Sequence, residues 1–351
     1  MAKQPKNMIK YIIKRILMMI PMLFLVLTLA WFLSRLMAVN PVTNKLGDIL
    51  DPEVIEAELR RIGYYDPWYV QLAIYYKNFF TGDWGTSYIV AKDRPVIDFI
   101  WEIFPKTIEL MIIPIVLSPI LAVKLGIASA THKDKKKDVA IRTLAIIGAG
   151  FPVFWIAIML QLFFGFYLGI FTRGGLDLPA VFANTPGLPS PGRITGFRII
   201  DSILYNDQIY LFDTLLHLIL PAICLTFVSL ASITRQTRSS MLDVLDQDYI
   251  RTARAKGVLE KEVINKHAIR NALIPVSNLI IGGTATALLG SFFIEVTFNY
   301  KGYGYYMVYS ILVGDYLVIN GLLVFATIII LIGNLVTDVM YTIIDPRITY
   351  T

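Results

Sequence analysis

Cysteine is all but missing. Cys224 is the single thiol in 351 residues, which excludes a disulfide framework and any metal site built on paired cysteines. Histidine is nearly as scarce: His132, His217 and His267 share no ligand spacing, so each is read as structural and no metal site is expected. There is no G-x-x-x-x-G-K-[ST] loop, so the chain has no phosphate cradle with which to hydrolyse ATP. Neither H-E-x-x-H nor G-x-S-x-G occurs, which leaves a membrane protease or lipase without its motif. Charge is scarce too. Only 17% of residues are Asp, Glu, Lys or Arg against 56% hydrophobic, where a soluble domain carries about a quarter charged. A membrane protein is the class that remains.

What is present in quantity is apolar sequence. Runs long enough for a ~30 Å hydrocarbon core, roughly 20 residues of helix each, fall near 16–37, 107–131, 139–170, 214–234, 272–298 and 317–344. The expected fold is all-α and integral to the membrane, with six transmembrane helices. The first run follows Lys3, Lys6, Lys10, Lys14 and Arg15. It is too long for a secretory signal core and lacks a small-residue cleavage site, so it reads as a retained span. Basic residues in short loops mark the cytoplasmic side: the amino terminus, "HKDKKKD" at 132–138, and 235–270. Segments 38–105, 172–213 and 299–316 are poorer in basic residues for their length and belong outside. Six spans then place both termini in the cytoplasm of a cell-membrane protein. The net charge of +6 is explained by topology, without nucleic acid.

Proline and glycine recur within the spans, at Pro21, Pro114, Pro119, Pro152, Pro221, Pro275, Gly282, Gly283 and Gly290. Neighbouring helices can satisfy the backbone groups that proline frees, and small residues let helices approach. Gly283, Ala287 and Ser291 share one helix face, read as a packing stripe. Polar side chains in spans are costly against lipid and should face inward. Gln161, Asn278, Thr284, Thr286 and Glu295 are the candidates for a translocation path, with structural hydrogen bonds an equal alternative for each. Glu109, Asn320, Asn334 and Asp338 are further polar groups in the runs.

One stretch breaks the pattern: "YIRTARAKGVLEKEVINKHAIRNALIPV" at 249–276. Residues 235–270 hold eight Lys or Arg and five Asp or Glu. At about 2.5 to 3.5 kcal/mol per charge inserted, this segment stays out of the bilayer. "DQDYIRTARAK" reads as helix after an acidic start, Gly257 as its stop, and "LEKEVINKHAIRNAL" as a second helix. Val258, Leu259, Val263 and Ile264 follow the turn and offer apolar contact to a partner. The plainer alternative is a basic amphipathic segment lying on anionic headgroups.

This stretch resembles the cytoplasmic signature loop of type I ABC importer permeases, in which Glu-Ala-Ala, a glycine four residues on, and a later Ile-x-Leu-Pro grip the ATPase subunit. Gly257 takes the glycine position and Ala253 the second alanine, while Arg251, Thr252, His267 and Arg270 depart from the general motif. "ARAKG" at 253–257 and "RNALIPV" at 270–276 are the form found in the peptide and nickel branch. "YIIKRILMMIPMLFLV", "GDWGTSY" at 82–88, "FPVFW" at 151–155, "ITGFRIIDSI" at 194–203 and "IIDPRI" at 343–348 resemble the same branch. The likeness spans almost the whole chain, as a B-type subunit of oligopeptide or dipeptide importers. At 301–304 the family's Pro-Gly-Leu-Gly is replaced by Lys-Gly-Tyr-Gly.

The resemblance implies four regions: 1–37, a cytoplasmic segment and first span; 38–105, an extracytoplasmic loop region; 106–344, a type I transmembrane domain of five helices with outer loop 172–213 and coupling loop 235–270; and 345–351, a cytoplasmic tail. It implies a second homologous permease, two ATPases that carry ATP and Mg, and an external binding protein that delivers substrate. This chain itself would bind no cofactor and catalyse nothing. The implied ATPase contact falls on Arg251, Ala253, Arg254, Ala255, Lys256, Gly257, Val258, Leu259, Val263 and His267. Short peptides are the expected cargo, with oligosaccharides or nickel chelates as alternatives. An ion-coupled secondary transporter, with Glu295 and Asp338 as its ionisable groups, is the rival of another class. A membrane enzyme is a third, but neither rival requires the glycine-centred loop.

Overall fold

A computed structural model describes residues 8–36, 52–61, 63–167, 184–185 and 187–344. Four long helices meet the length and apolarity of a membrane span: Lys10–Leu33 within α1 (Met8–Leu36), α4 (Val96–Thr131), α8 (Gln208–Leu245), and Tyr316–Met340 within α13 (Tyr316–Ile344). A fifth appears if the bent pair Lys136–Gly150 and Val153–Phe164 counts as one span. The remaining run expected from sequence, 272–298, is divided at Ser291 into α10 (Ile269–Gly290) and α11 (Phe292–Thr297). Among the described residues the structure therefore gives four spans, or five, where the sequence suggested six.

The third run is where the difference is sharpest. Helix α5 (Lys136–Gly150) and helix α6 (Val153–Leu160), which continues into a π-helical turn at Gln161–Tyr167, meet at 107°. Pro152 explains the break: it has no N–H to give α5, it forces an extended Phe151 before it, and it opens the next helix as cap.

At 1.5 Å per residue, α4 and α8 are about 54 and 57 Å long, so both outreach the hydrocarbon core and carry its packing to the aqueous faces. They run side by side in the same direction. Leu110 clusters with Leu218, Ala122 with Leu230 and Ile233, and Ala130 with Met241. Helices α1 and α13 run oppositely: Arg15 meets Asp338 at 3.1 Å near one end, while Leu27 and Ala30 pack on Val324 towards the other. The bare faces of α1, such as Leu17 and Leu25, are more than half exposed, as suits a helix with lipid on one side.

Shorter helices cluster around the ends. Helices α2 (Pro52–Arg61) and α3 (Trp68–Thr81) precede α4; α7 (Arg198–Leu204) precedes α8; α9 (Asp248–Ala255) follows it; α12 (Tyr303–Val313) leads into α13. The "GDWGTSY" turn is pinned to the start of α13 by one carboxylate oxygen. Asp315 Oδ2 accepts from Ser87 Oγ at 2.7 Å and from the N–H groups of Tyr88, Ile89 and Val90 at 3.1, 2.9 and 3.0 Å.

Candidate functional site

The charged stretch folds as an extension of the helix bundle. Helix α9 begins at Asp248, whose acidic side chain suits a helix start, and buries Ile250 and Ala253. The chain then reverses at Gly257, where φ is +78°. The Val258 N–H bonds to the Ala253 carbonyl at 3.3 Å and the Gly257 N–H to that of Arg254 at 3.0 Å, so the freed carbonyls of the last turn are closed off as a left-handed glycine cap does. The second helix differs from the sequence reading. A short turn at Glu260–Glu262 and a π-helical turn at Val263–Ala268 run without interruption into α10.

Burial separates the expected contact residues into two sets. Val263 is fully buried, and with Ile250, Ala253, Ala268 and Ala272 it packs on Ala130 of α4 and Met241 of α8, with Val258 along the edge. These residues fasten the stretch to the bundle. Leu259 is 72% exposed, and Arg251, Ala255, Lys256 and His267 also face outward. Arg251 pairs loosely with Asp248 at 3.6 Å. Arg254 forks onto Glu260 at 3.0 and 2.8 Å across the glycine turn; its hydrogen bonds hold the Glu260 carboxyl below the usual carboxylate range and raise the guanidinium above its own. The base beneath is braced by Asp138, which accepts from both Nε and Nη2 of Arg238 at 2.8 Å, from the Asp134 N–H at 3.0 Å, and from Ser129. Asp138 is fully buried, so the lysine-rich turn is fixed to α8 just above the charged stretch.

The expected path residues do not form one cluster. Gln161 Nε2 donates to the Thr297 carbonyl at 3.1 Å, tying the turn after α6 to α11. Thr284 Oγ1 donates to the Ile280 carbonyl at 2.9 Å within α10, on which Asn278 is half-buried. The side chains of Thr286 and Ala287 lie outside the described residues, as do 345–348 of "IIDPRI". Glu295 is fully buried. It accepts from Thr107 Oγ1 at 2.9 Å, Ser291 Oγ at 2.7 Å and the Tyr305 N–H at 3.0 Å, and so joins α4, α11 and α12. Gly302 belongs to this junction: a Cβ there would sit 2.6 Å from both Glu295 Oε2 and Thr107 Oγ1. The turn at 301–304 thus needs its glycine because a carboxylate occupies the space, and α12 starts directly after it.

Sequence reasoning missed Arg198 altogether. It reaches across from α7 to Glu109 on α4 at 3.0 Å, to Asn184 at 2.8 Å and to the Tyr300 hydroxyl, with its guanidinium over the Tyr300 ring at 4.8 Å. Glu109 also accepts from the Ile199 N–H at 2.7 Å. Both charges are nearly sealed, 7% and 4% exposed. Nearby, burial raises the Asp201 carboxyl but the N–H and hydroxyl of Thr195 and the N–H of Gly196 outweigh it, leaving it below its ordinary range. Its segment, "ITGFRIIDSI", was the available signal, though only as a resemblance.

Residues 122–350 match the family described as binding-protein-dependent transport system inner membrane component. Over 344 residues the chain is 38% identical to the dipeptide transport system permease protein DppB of Alkalihalophilus pseudofirmus, covering 98% of this chain and all of the relative. It is 35% identical to the oligopeptide transport system permease protein AppB of Bacillus subtilis over 98% of this chain and all of that one. It is also 35% identical to the di/tripeptide transport system permease protein DppB of Pseudomonas aeruginosa, over 98% and 99%. Long apolar helices, a glycine-turned charged stretch braced on their ends and matches along nearly the full length converge: the chain belongs to the binding-protein-dependent transport system inner membrane components, as a multi-pass ABC importer permease of the oligopeptide, dipeptide and nickel branch.

Proposed function

We propose that this permease forms half of the path for short peptides in an ATP-driven importer and receives the ATPase stroke through residues 248–268. The relatives' names as dipeptide, oligopeptide and di/tripeptide permeases support the cargo. One observation carries the coupling role: Leu259 projects 72% exposed from the glycine turn while Val263, four residues on, is fully buried in the bundle. An apolar knob on a rigid base, among exposed charges, suits a protein groove better than headgroups. Burying such a leucine contributes about 1.5 to 3 kcal/mol.

On this reading Leu259, with Arg251, Ala255, Lys256 and His267 around it, meets the ATPase. Ala253, Arg254, Gly257, Val258 and Val263 set its position. ATP and Mg reside in two ATPase subunits, a second homologous permease completes the path, and an extracytoplasmic binding protein delivers the peptide. Six spans and cytoplasmic termini are the reading that the basic segments and the parallel course of α4 and α8 support. Two parallel neighbours require the bent pair between them to return across the membrane, and α10, about 33 Å at 1.5 Å per residue, supplies the other return.

The test is transport by the reconstituted importer. Gly257→Val and Leu259→Asp should each abolish peptide-stimulated ATP hydrolysis while the binding protein still docks, and Lys135→Ala in the other cytoplasmic turn should change little. Parental transport by both coupling variants would sink the assignment.

A further inference from the structure

The outer end of α1 forms one wall of a cavity of about 400 Å3 that plays no part in the sites above; small-molecule sites run from roughly 300 to 1,000 Å3. Its other walls are α3, the turn at 83–85 and the start of α13. Arg35 lines it, two residues beyond the apolar span Lys10–Leu33. The guanidinium lies over the rings of Trp31 and Tyr64, 5.8 and 5.0 Å from their centroids. Among the described residues no carboxylate pairs with it. This is a cation at the end of a span, backed by aromatic faces and left open to an anion.

Two further observations fix what kind of anion fits. Helix α3 leaves Trp68, Tyr69 and Phe80 exposed at 66, 60 and 59%, the composition of a membrane–water belt, so the cavity sits at headgroup depth. Its floor then turns apolar through Ile74, Leu317 and Val324. Soluble phosphoesters would gain nothing from that floor, whereas acyl chains would. Asp83 also lines the cavity, with Oδ1 taken by the Gly85 N–H at 3.1 Å. A carboxylate lining the same cavity as the guanidinium favours a headgroup carrying a protonated amine over one with hydroxyls alone.

We propose that this cavity binds an outer-leaflet phospholipid of the ethanolamine type, its phosphodiester on Arg35, its amine towards Asp83 and its chains along Leu317 and Val324. Arg presents paired donors that match a phosphate. The assignment rests on the membrane orientation proposed above, which puts the carboxyl end of α1 outside.

The assembled importer, reconstituted in vesicles of phosphatidylethanolamine and phosphatidylglycerol and released in mild detergent, would be read by native mass spectrometry. The parent should retain one phosphatidylethanolamine on this permease. Arg35→Gln should cut retention about tenfold, the loss of one charge-assisted hydrogen bond. Asp83→Asn should keep the total but erase the preference between the two headgroups, and keeps the test decisive should Arg35→Gln fail to assemble. Unchanged lipid in both variants overturns the proposal. Displacement by free glycerophosphoethanolamine overturns the lipid in favour of a soluble phosphoester. Labelling of Asp83→Cys from outside, in a Cys224→Ala background, tests orientation alone, so a failed site and a failed topology are told apart.

Discussion

Charges occur in this permease in two contrasting settings. Around the start of α4, Arg198, Glu109 and Glu295 are buried and engaged by partners from the same chain. In the charged stretch 248–268 Arg251, Arg254, Lys256 and Glu260 are exposed, and Leu259, at 72%, is the most exposed large apolar side chain there among the described residues. The contrast teaches where to look for partners. Charges buried against partners hold helices to helices, whereas an exposed apolar side chain on a rigid base, set among surface charges, is where another molecule is to be sought. Neither composition nor charge count would have separated the two.

The strongest way to break the comparison is at the buried pair of Arg198 and Glu109. Arg198→Leu strands a buried carboxylate on Glu109 and should cost about 3 to 5 kcal/mol, read as a drop in the unfolding midpoint in detergent. Glu109→Gln with Arg198→Leu should restore much of it, since the neutral amide leaves no uncompensated buried charge and its oxygen can still accept from the Ile199 N–H. If the double variant is as unstable as the single one, the pair does more than hold α7 to α4.

A smaller effect is expected at the anchor of the turn at 82–88. Asp315→Asn removes the charge that gathers Ser87 and three N–H groups and leaves an amide that accepts with one oxygen only. A loss of about 1.5 to 3 kcal/mol is expected, the range for hydrogen bonds to a charged group, together with faster proteolysis at 83–90. Unchanged protease resistance would show that the turn is held by other contacts.

Gly257→Val should cost less still in stability. No atom lies within 4 Å of a Cβ placed there, so the penalty is backbone strain at positive φ, about 1 kcal/mol or more. Its functional effect should exceed its stability effect, the reverse of Arg198→Leu. Least of all is expected from Glu260→Gln. The pair with Arg254 is about half exposed, which limits it to under about 1 kcal/mol. Because the Glu260 pKa is depressed by Arg254, this contribution is full above the ordinary carboxylate pKa and fades as pH falls through the lowered one. A parent and variant compared across that acid range should converge at its low end; a gap that widens there would contradict the pairing.

Much of this was legible in the sequence because the relevant signals are local. Apolar length gave the long helices, and Gly257 between an acidic helix start and a charged continuation gave the turn of the charged stretch. The bend at Pro152 was not read, since proline inside a membrane span is commonly accommodated and only packing decides whether the axis turns. Arg198 was invisible because a lone arginine in an outer loop looks like surface, and its partners lie 89 and 102 residues away. Val263 and Leu259 are alike in sequence terms; Leu259 precedes the helix with an extended backbone, whereas Val263 lies one short turn inside it and faces the bundle.

That last pair supplies the most direct test. In a Cys224→Ala background, a thiol-linked photo-cross-linker at Leu259→Cys in the assembled importer should capture the ATPase subunit, and one at Arg251→Cys should do so less strongly. A cross-linker on Val263→Cys should capture only neighbouring segments of this permease. If position 259 captures lipid and no ATPase while the importer transports at its parental rate, residues 248–268 are not the coupling element, and a membrane-surface role takes its place.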